Sequence, residues 1–351
     1  MAKTILVAPL NWGLGHATRC IPIIYALKDF GFKPLIASDG MALALLRKEF
    51  PEETHLELPS YGIRYPKKGA DLKLRLLKQL PRIRKTVKEE QQLVNYWVDT
   101  HKLSGIISDN RFGVYSCKVP SVYLTHQLKV LSGNTTWFST KMHQQIINRF
   151  SECWVPDFKD QPNLSGALGH PEKNDQTTKY IGPLSRFEIR TSKPLIDILL
   201  LLSGPEPQRT MLQETLIAQF KNDSRNLLLV EGRVESSQTI TNQGHLTVYN
   251  FMTSSELEQA ISTSQLVIAR SGYSTVMDLS KLQKKAFFIP TPGQFEQEYL
   301  ARHLENSGQA PFCKQSVFTL DELNRIENYK GLSCEESKPD FEKLFHLFEG
   351  K

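Results

Sequence analysis

The chain has 351 residues, 40% of them hydrophobic and 23% charged, with a formal net charge of +6. This composition is typical of a soluble globular protein with room for two domains, and no apolar run approaches the roughly 20 residues that cross a bilayer. The first ten residues lack the length and cleavage pattern of a signal peptide, and their apolar run is expected to form a buried strand. The five cysteines stand far apart. Their number and spacing argue against a disulfide framework or a zinc site and favour a cytoplasmic location.

Short apolar runs alternate with amphipathic segments along the whole chain. The predicted strands of a first series are 4–8, 33–37, 105–108, 122–125 and 179–181. Those of a second series are 197–202, 226–230, 246–249, 265–269 and 285–289. The predicted helices include 18–30, 41–50, 209–221, 274–282 and 294–306. Alternation of this kind predicts right-handed βαβ units and parallel sheets covered by helices.

The alternation restarts after a polar stretch punctuated by glycine and proline. We therefore predict an α/β protein with two Rossmann-like domains, whose parallel sheets face each other across a deep crevice. The predicted boundaries are a first domain at 1–182, a linker at 183–194 and a second domain at 195–338. Residues 339–351 are predicted to form a helix that is able to pack back on the first domain.

Glycine-containing turns follow three of the predicted strands, at 11–16, 203–207 and 270–275. Glycines let the backbone turn sharply, and the helix that follows offers unpaired N–H groups and the positive end of its dipole. Small hydroxyl side chains beside such amides suit a phosphate. Each turn alone is equally a tight connection, but three of them indicate a phosphorylated ligand.

Other polar residues are candidates for ligand contacts, and each has a plainer interpretation. His16 stands at the predicted lip of the crevice, where open α/β sheets bind ligands, or it only packs at the start of a helix. Asp278 suits ribose hydroxyls, or it is a solvated acid on a helix surface. Residues 291–299 carry amide and carboxylate groups suited to a sugar, or they form an acidic first helical turn.

Together these residues resemble the GT-B glycosyltransferases and, within them, family 28, which includes the UDP-N-acetylglucosamine transferase of peptidoglycan lipid-intermediate synthesis. The similarity is strongest over 265–306, where 269–278 and 289–299 match the donor-binding signature of that family in order and spacing. Weaker collinear matches lie at 13–16, 182–186, 203–204 and 251–252. The resemblance implies an inverting, metal-independent hexosyltransferase. It would move a hexose or N-acetylhexosamine from a nucleotide diphosphate sugar, by resemblance UDP-linked, to an acceptor that is a carbohydrate or a lipid-linked molecule.

The resemblance also implies roles for the matched positions and no cofactor besides the nucleotide sugar. His16 is the first candidate for the catalytic base and Asp109 the second. Asp278, where the family usually has Glu, would bind the ribose, and Gln297 and Glu298 would bind the donor sugar. The other donor-side residues are Arg186, Ser203, Gly204, Phe251, Met252, Arg270, Ser271, Gly272, Ser274, Thr275 and Gln294. The acceptor-side residues, which follow the family only loosely, are Gly13, Gly15, Asn110, Arg111, His126 and Gln127.

Residues 64–88 are strongly basic, with Asp71 as their only acid. Five apolar residues fall at helical spacing within them, namely Leu72, Leu76, Leu80, Ile83 and Val87. Pro81 is expected to kink or split that helix. The segment suits peripheral contact with an anionic membrane or an anionic acceptor, or it is a solvated helix whose leucines face the core.

Several other functions are compatible with parts of the pattern. A nucleotide-sugar epimerase of the same architecture would keep the donor site, and so would a non-catalytic module that binds a sugar or a lipid. A nicotinamide dehydrogenase would use Asp39 on the ribose, but its first turn lacks the third glycine. Nucleic-acid binding has only the basic stretch in its favour and no recognised module.

Overall fold

The computed structural model describes residues 2–62, 72–172, 177–189, 192–204, 206–333 and 339–350. These residues form two compact units. One contains the residues up to 62, residues 76–184 and the C-terminal residues from 339, and the other contains residues 72–75 and the described residues between 185 and 333. Each unit has a parallel sheet with helices and its own hydrophobic core.

The sheet of the first unit is parallel throughout and has the strand order β3-β2-β1-β4-β5-β6-β7. Its strands are β1 Thr4–Pro9, β2 Lys33–Ser38, β3 Thr54–Glu57, β4 Leu103–Asp109, β5 Ser121–Leu124, β6 Glu152–Val155 and β7 Thr178–Tyr180. The inner strands are buried on both faces, which explains why they form nearly unbroken apolar runs instead of alternating patterns.

The sheet of the second unit has the order β10-β11-β9-β8-β12-β13. Its strands are β8 Ile196–Leu201, β9 Leu227–Val230, β10 Ile240–Gln243, β11 Leu246–Tyr249, β12 Ser264–Ala269 and β13 Ala286–Phe288. Only the edge pair β10 and β11 is antiparallel within the described sheet. The order of the parallel strands repeats the Rossmann arrangement of the first unit.

The α-helices lie in the connections. They are α1 Gly15–Asp29, α2 Gly40–Glu49, α3 Leu72–Thr100, α4 Thr136–Ile147, α5 Gln208–Phe220, α6 Ser254–Ser262, α7 Tyr273–Lys281, α8 Phe295–Asn306 and α9 Phe341–Phe345. Short 3-10 segments occur at Gly133–Thr135, Gly166–Leu168, Gln315–Val317, Leu320–Asn328 and His346–Phe348. No helix in the described ranges combines the length and the apolar content needed to span a bilayer.

The predicted α/β class with two Rossmann-like units is confirmed, and each strand that the sequence indicated is present. Pro81 does not split the basic helix, because α3 continues through it to Thr100, and the alternative, a kink at Pro81, stays a prediction. The end of α3 packs Val94, Trp97 and Val98 into the core of the first unit. That burial offsets the one backbone hydrogen bond that a proline removes.

The strand order gives each unit a switch point, where the chain leaves neighbouring strands in opposite directions. In the first unit this point lies between β1 and β4, and Pro9 is in register with Asp109 there. In the second unit it lies between β8 and β12, with Leu201 opposite Ala269. Open parallel sheets bind their ligands beyond the carboxyl ends of the strands at such points.

The C-terminal residues pack on the first unit through aromatic rings. Phe345 meets Phe30 and Phe32 edge to face, with ring centroids 5.8 and 5.6 Å apart. Phe348 occupies the space where a side chain at position 105 would point, and a Cβ on Gly105 would come within 2.2 Å of its ring. Gly105 in β4 is therefore a glycine because the C-terminal segment lies against the backbone of that strand.

Candidate functional site

His16 and Asp109 meet at the switch point of the first unit, although 93 residues separate them in the sequence. His16 is the second residue of α1, and Asp109 is the last residue of β4. The imidazole Nδ1 lies 2.8 Å from Oδ1 of the carboxylate. The pair forms because β1, which leads into α1, is the direct neighbour of β4.

Asp109 is fully buried and ionised. Arg19, three residues after His16 on α1, approaches it with Nε 2.6 Å from Oδ2 and with Nη2 in contact with Oδ1. Burial alone would raise the pKa of this carboxyl, but the charges of Arg19 and His16 and their hydrogen bonds outweigh it and lower the pKa to about 2. A carboxylate with so low a pKa is a weak base, and in the structure Asp109 is the partner of His16 and Arg19.

The ring nitrogen Nδ1 of His16 faces two groups with opposite hydrogen-bonding roles. It lies 2.8 Å from the carboxylate of Asp109, which only accepts hydrogen bonds, and 2.9 Å from Nη2 of Arg19, which only donates them. The tautomer with the hydrogen on Nδ1 donates to Asp109 and places the lone pair of the ring on Nε2. In that tautomer a neutral histidine can accept a proton from a hydroxyl group at Nε2.

His126 lies on the other side of the same arginine. Nη1 of Arg19 is 2.8 Å from its Nδ1, and an arginine only donates hydrogen bonds, so Nδ1 of His126 is the acceptor. The imidazole is buried and is held neutral beside the guanidinium. The structure thus gives this predicted acceptor-side residue an internal role, the support of Arg19.

Arg111 is a second predicted acceptor-side residue that the structure places inside the unit. Its guanidinium is fully buried, forms ion pairs with Asp39 and with Glu90 at 2.7 Å, and donates from Nε to the carbonyl of Pro9 at 2.9 Å. These ion pairs and the hydrogen bond to Pro9 hold the start of the loop after β1 in place. Asp39 is paired here, which removes the feature that suited it to a nicotinamide dinucleotide.

The remaining acceptor-side residues lie in loops at the carboxyl edge of the first sheet. Gly13 has a φ of +81° in the turn after β1, a conformation that favours glycine, and Gly15 begins α1. Asn110 also has a positive φ of 56°, and its Oδ1 accepts a hydrogen bond from Tyr123 at 2.9 Å. Gln127 donates its backbone N–H to Thr125 Oγ1 at 3.1 Å.

In the second unit, the loops after β12 and β13 are bonded to each other. Ser271 donates its hydroxyl hydrogen to the carbonyl of Gln297 at 2.8 Å, and Oε1 of Gln297 accepts from the N–H of Thr291 at 2.8 Å. Gly293 donates its N–H to Oε1 of Glu298 at 3.0 Å. Nε2 of Gln297 lies beside Gly272, 4.0 Å from where a Cβ on that glycine would be. The two predicted donor segments are therefore joined by hydrogen bonds between buried residues.

The N-terminus of α7 faces the same edge of the sheet. Gly272 is the N-cap, and Ser274 and Thr275 are partly exposed in the first turn. Gly204, after β8, has a φ of +96° and lies with Ser203 in the loop of the neighbouring strand. Gln294 is the N-cap of α8. Backbone N–H groups from two helix starts thus lie at neighbouring strand ends, the arrangement that binds phosphates.

Asp278 lies one turn into α7, beside residues that precede β8. Ser185 donates its hydroxyl hydrogen to Oδ1 of Asp278 at 2.7 Å. Burial raises the pKa of this carboxyl to about 6, although the nearby charge of Arg186 and the Ser185 hydrogen bond oppose the shift. Arg186 also reaches Ser254 at the start of α6, with Nη1 3.2 Å from Oγ. The charges of Asp278 and Arg186 therefore interact, and both residues belong to the second unit.

Phe251 and Met252 are buried just before α6. The carbonyl of Phe251 accepts a hydrogen bond from Nε2 of Gln238 at 3.0 Å. Because their side chains are enclosed, a nucleobase bound here would contact the backbone of these residues more readily than their side chains. Arg270 is fully buried and bonded only to protein oxygens, so it does not present its guanidinium to a ligand.

Residues 208–328 match the family model described as "Glycosyltransferase family 28 C-terminal domain". The chain is 25% identical over 340 residues to the UDP-N-acetylglucosamine--N-acetylmuramyl-(pentapeptide) pyrophosphoryl-undecaprenol N-acetylglucosamine transferase of Actinobacillus pleuropneumoniae serotype 5b, covering 93% of this chain and 89% of the relative. The enzyme of the same name from Buchnera aphidicola subsp. Schizaphis graminum is 24% identical over 220 residues, 61% of this chain and 58% of that relative. For that relative, the chain matches less than two thirds of its length.

Solved structures with the same fold cover 93% of this chain. MurG of Acinetobacter baumannii has a TM-score of 0.54 at 14% identity and 90% coverage of its own chain. The glycotransferase of kitacinnamycin has a TM-score of 0.61 at 13% identity and 89% coverage. The chain has the GT-B fold, and its residues 208–328 resemble the C-terminal domain of glycosyltransferase family 28. A Listeria monocytogenes structure described as a UDP-N-acetylglucosamine 2-epimerase has a TM-score of 0.58 at 10% identity and 89% coverage, so the fold is common to proteins with different reported activities.

The matched domain at 208–328 contains the loops after β12 and β13 but neither His16 nor Arg186. Sequence reasoning did not single out two buried charged residues of this network, Arg19 and Glu90. Arg19 carried a usable signal, since residues three apart on a helix share a face and it follows His16 by three. Among the described residues, no group of three or more His, Cys, Asp or Glu side chains is arranged to hold a metal ion.

Proposed function

We propose that this protein is an inverting glycosyltransferase that moves a hexose or N-acetylhexosamine from a UDP-linked donor to a carbohydrate or lipid-linked acceptor. The observation that carries the proposal is the His16–Asp109 pair, in which Nδ1 of the imidazole lies 2.8 Å from an ionised carboxylate. We assign the hydrogen to Nδ1, so that the lone pair is on Nε2. The pair stands at the carboxyl ends of β1 and β4, where this fold binds substrates. The family 28 domain at 208–328 supports a nucleotide-sugar donor.

In the proposed reaction an acceptor hydroxyl attacks the anomeric carbon of the donor sugar and forms the new C–O bond. The proton of that hydroxyl passes to Nε2 of His16, and Asp109 stabilises the imidazolium through Nδ1. The bond between the anomeric carbon and the diphosphate oxygen breaks, and its electron pair leaves with UDP. A single displacement of this kind inverts the configuration at the anomeric carbon.

The leaving diphosphate gains negative charge, which the donor site must stabilise. The N–H groups at the start of α7, the hydroxyls of Ser274 and Thr275 and the charge of Arg186 are the proposed partners of the phosphates. These groups supply positive potential without a bound metal ion, and no metal is part of the proposed step. Asp278 is the proposed partner of the ribose hydroxyls, and Gln297 and Glu298 of the sugar.

Calorimetry with nucleoside diphosphates, followed by transfer assays, tests this proposal. We expect UDP and a UDP-sugar to bind to the wild-type protein. We also expect UDP release to require an acceptor. A 2-epimerase would release UDP or isomerise the donor in the absence of acceptor, and a binding module would release none with any acceptor. Failure of every nucleoside diphosphate to bind would reject the proposal.

We propose that the protein acts at the cytoplasmic face of an anionic membrane, to which the acceptor or its lipid anchor brings it. The side chains of Arg84, Lys85 and Lys88 on α3 are exposed. Trp137 and Phe138 at the start of α4 are 73% and 59% exposed, and large apolar side chains of that kind suit a lipid interface. The basic residues 64–71 lie outside the described residues, so the proposal rests on the described part of the helix.

A further inference from the structure

Arg270 is a fully buried cation at the carboxyl end of β12. Its Nη1 donates to the carbonyls of Ile289 and Pro290, at 2.9 and 3.0 Å. Its Nη2 donates to the carbonyl of Gln208 and to Oε1 of Gln315, each at 2.8 Å. The guanidinium is thus held by four oxygens, none of which belongs to a carboxylate.

These partners place the guanidinium beneath the loops of the proposed donor site. Gln208 is the first residue of α5, directly after the loop that contains Ser203 and Gly204. Ile289 and Pro290 lead into the loop that ends at Gln294, and Arg270 itself begins the loop that contains Ser271 and Gly272. The charge therefore lies where three ligand-binding loops converge.

The charge of Arg270 has no formal counter-ion in the part of the chain that the structure describes. Arg19 and Arg111, the other fully buried arginines considered above, are both paired with carboxylates. Burial lowers the pKa of Arg270 to about 9, and the guanidinium stays protonated at neutral pH. Its Nε has no hydrogen-bond partner in the described structure. Burying a cation without an anion costs free energy, and an anionic ligand that binds nearby would offset this cost.

We propose that Arg270 is an electrostatic positioning residue for the donor, and that the diphosphate of the bound nucleotide serves as its missing counter-ion. This inference rests on the proposed function, because it assumes a nucleoside diphosphate at the loops after β8, β12 and β13. Arg270 need not touch the phosphates. In the low dielectric beneath the loops, its charge acts on them across several ångströms.

The isosteric variant Gln315→Glu tests this without removing Arg270. It replaces the amide oxygen 2.8 Å from Nη2 with a carboxylate and so supplies the counter-ion permanently. If the charge of Arg270 attracts the diphosphate, calorimetry with this variant will show UDP and a UDP-sugar binding roughly tenfold more weakly. Uridine, which has no phosphate, will bind within about twofold of the wild type. The melting temperature will be unchanged or higher, because the new ion pair strengthens the contact.

Gln243→Glu on the exposed edge strand β10 is the matched control, since it makes the same chemical change in the same unit. It should leave the affinities for UDP and uridine within about twofold. Equal UDP affinity in Gln315→Glu and wild type would overturn the inference and leave the proposed function intact. Equal losses for uridine and UDP would also overturn it, because they would indicate a purely structural contact. A wild-type protein that does not bind UDP would reject the proposed function and this inference together.

Discussion

Arg19 and Asp109 form a fully buried ion pair in which Nε of the arginine lies 2.6 Å from Oδ2 of the carboxylate. The other oxygen of the same carboxylate lies 2.8 Å from Nδ1 of His16. One arginine therefore keeps the acid ionised, and that acid is the direct partner of the proposed base. This chain of contacts makes His16 the most direct target for mutagenesis.

His16→Ala should lower the turnover number for sugar transfer by about 10²–10⁴-fold, the usual contribution of a general base. UDP binding, measured by calorimetry, should change little, because the donor loops belong to the other unit. His101→Ala, at an exposed position beyond the end of α3, is the matched control and should keep full activity. Transfer by His16→Ala at the wild-type rate would remove His16 as the base.

Lowering the pH should reduce the free energy of unfolding, because Asp109 becomes protonated. Its pKa in the folded protein is about 2, below the ordinary value, so its stabilising contribution is present above about pH 4 and is lost as the pH falls through 2. The contribution is on the order of 2 kcal/mol. Urea denaturation at pH 5 and at pH 2 measures it as a difference in the free energy of unfolding.

Asp109→Asn should show a smaller pH-dependent difference than the wild type, because other carboxyls with a lowered pKa, such as Asp157, still titrate in the variant. At pH 7 its free energy of unfolding should also be lower by about 3–5 kcal/mol, because Arg19 remains buried without its counter-ion. Asp321→Asn, at an exposed position, is the control and should match the wild type at both pH values. An identical pH response in Asp109→Asn and wild type would show that this carboxylate is not the group concerned.

Donor binding should strengthen as the pH rises through about 6. The carboxyl of Asp278 is protonated below that pH, and only the ionised form accepts hydrogen bonds from both ribose hydroxyls. A UDP-sugar is the appropriate ligand, because its sugar-linked diphosphate lacks the ionisation near pH 6 of a phosphate monoester. Calorimetry between pH 5 and 7.5 measures the dependence.

Two variants of Asp278 separate ribose binding from a general pH effect. Asp278→Asn should bind the donor weakly with a flat pH profile, whereas Asp278→Glu should retain the rise. Without ligand, Asp278→Asn should be more stable than the wild type above pH 6, because ionising a buried carboxyl opposes folding. A wild-type profile in the Asn variant would exclude Asp278 as the ribose partner.

Binding to anionic vesicles should depend on the exposed basic face of α3. Replacing Arg84, Lys85 and Lys88 with Gln should weaken co-sedimentation with anionic vesicles by about 10²-fold at low salt, since each basic residue contributes about 1 kcal/mol near such a surface. The matched control is the triple variant Lys221→Gln, Lys314→Gln and Lys330→Gln, at exposed positions of the second unit. Equal binding by the two triple variants would contradict a membrane role for α3.

Much of the fold was predictable because its strands are buried on both faces and therefore form continuous apolar runs. The strands β3, β6 and β10 were not predicted. Two of them, Thr54–Glu57 and Ile240–Gln243, are partly or fully exposed and have no such run. Their pairing with a neighbouring strand, and not their composition, makes them strands.

The sequence by itself determined the two series of βα units, the turns that follow their strands, and the positions of His16 and Asp278 near helix starts. These features depend on residues close together in the chain. Only the tertiary structure decided that Asp109 meets His16 across neighbouring strands, that Arg111 and His126 face inward, and that Arg270 is buried with no carboxylate partner among the described residues. Strand order brings distant residues together, and burial then shifts their pKa values. No local pattern of residues reports either of these effects.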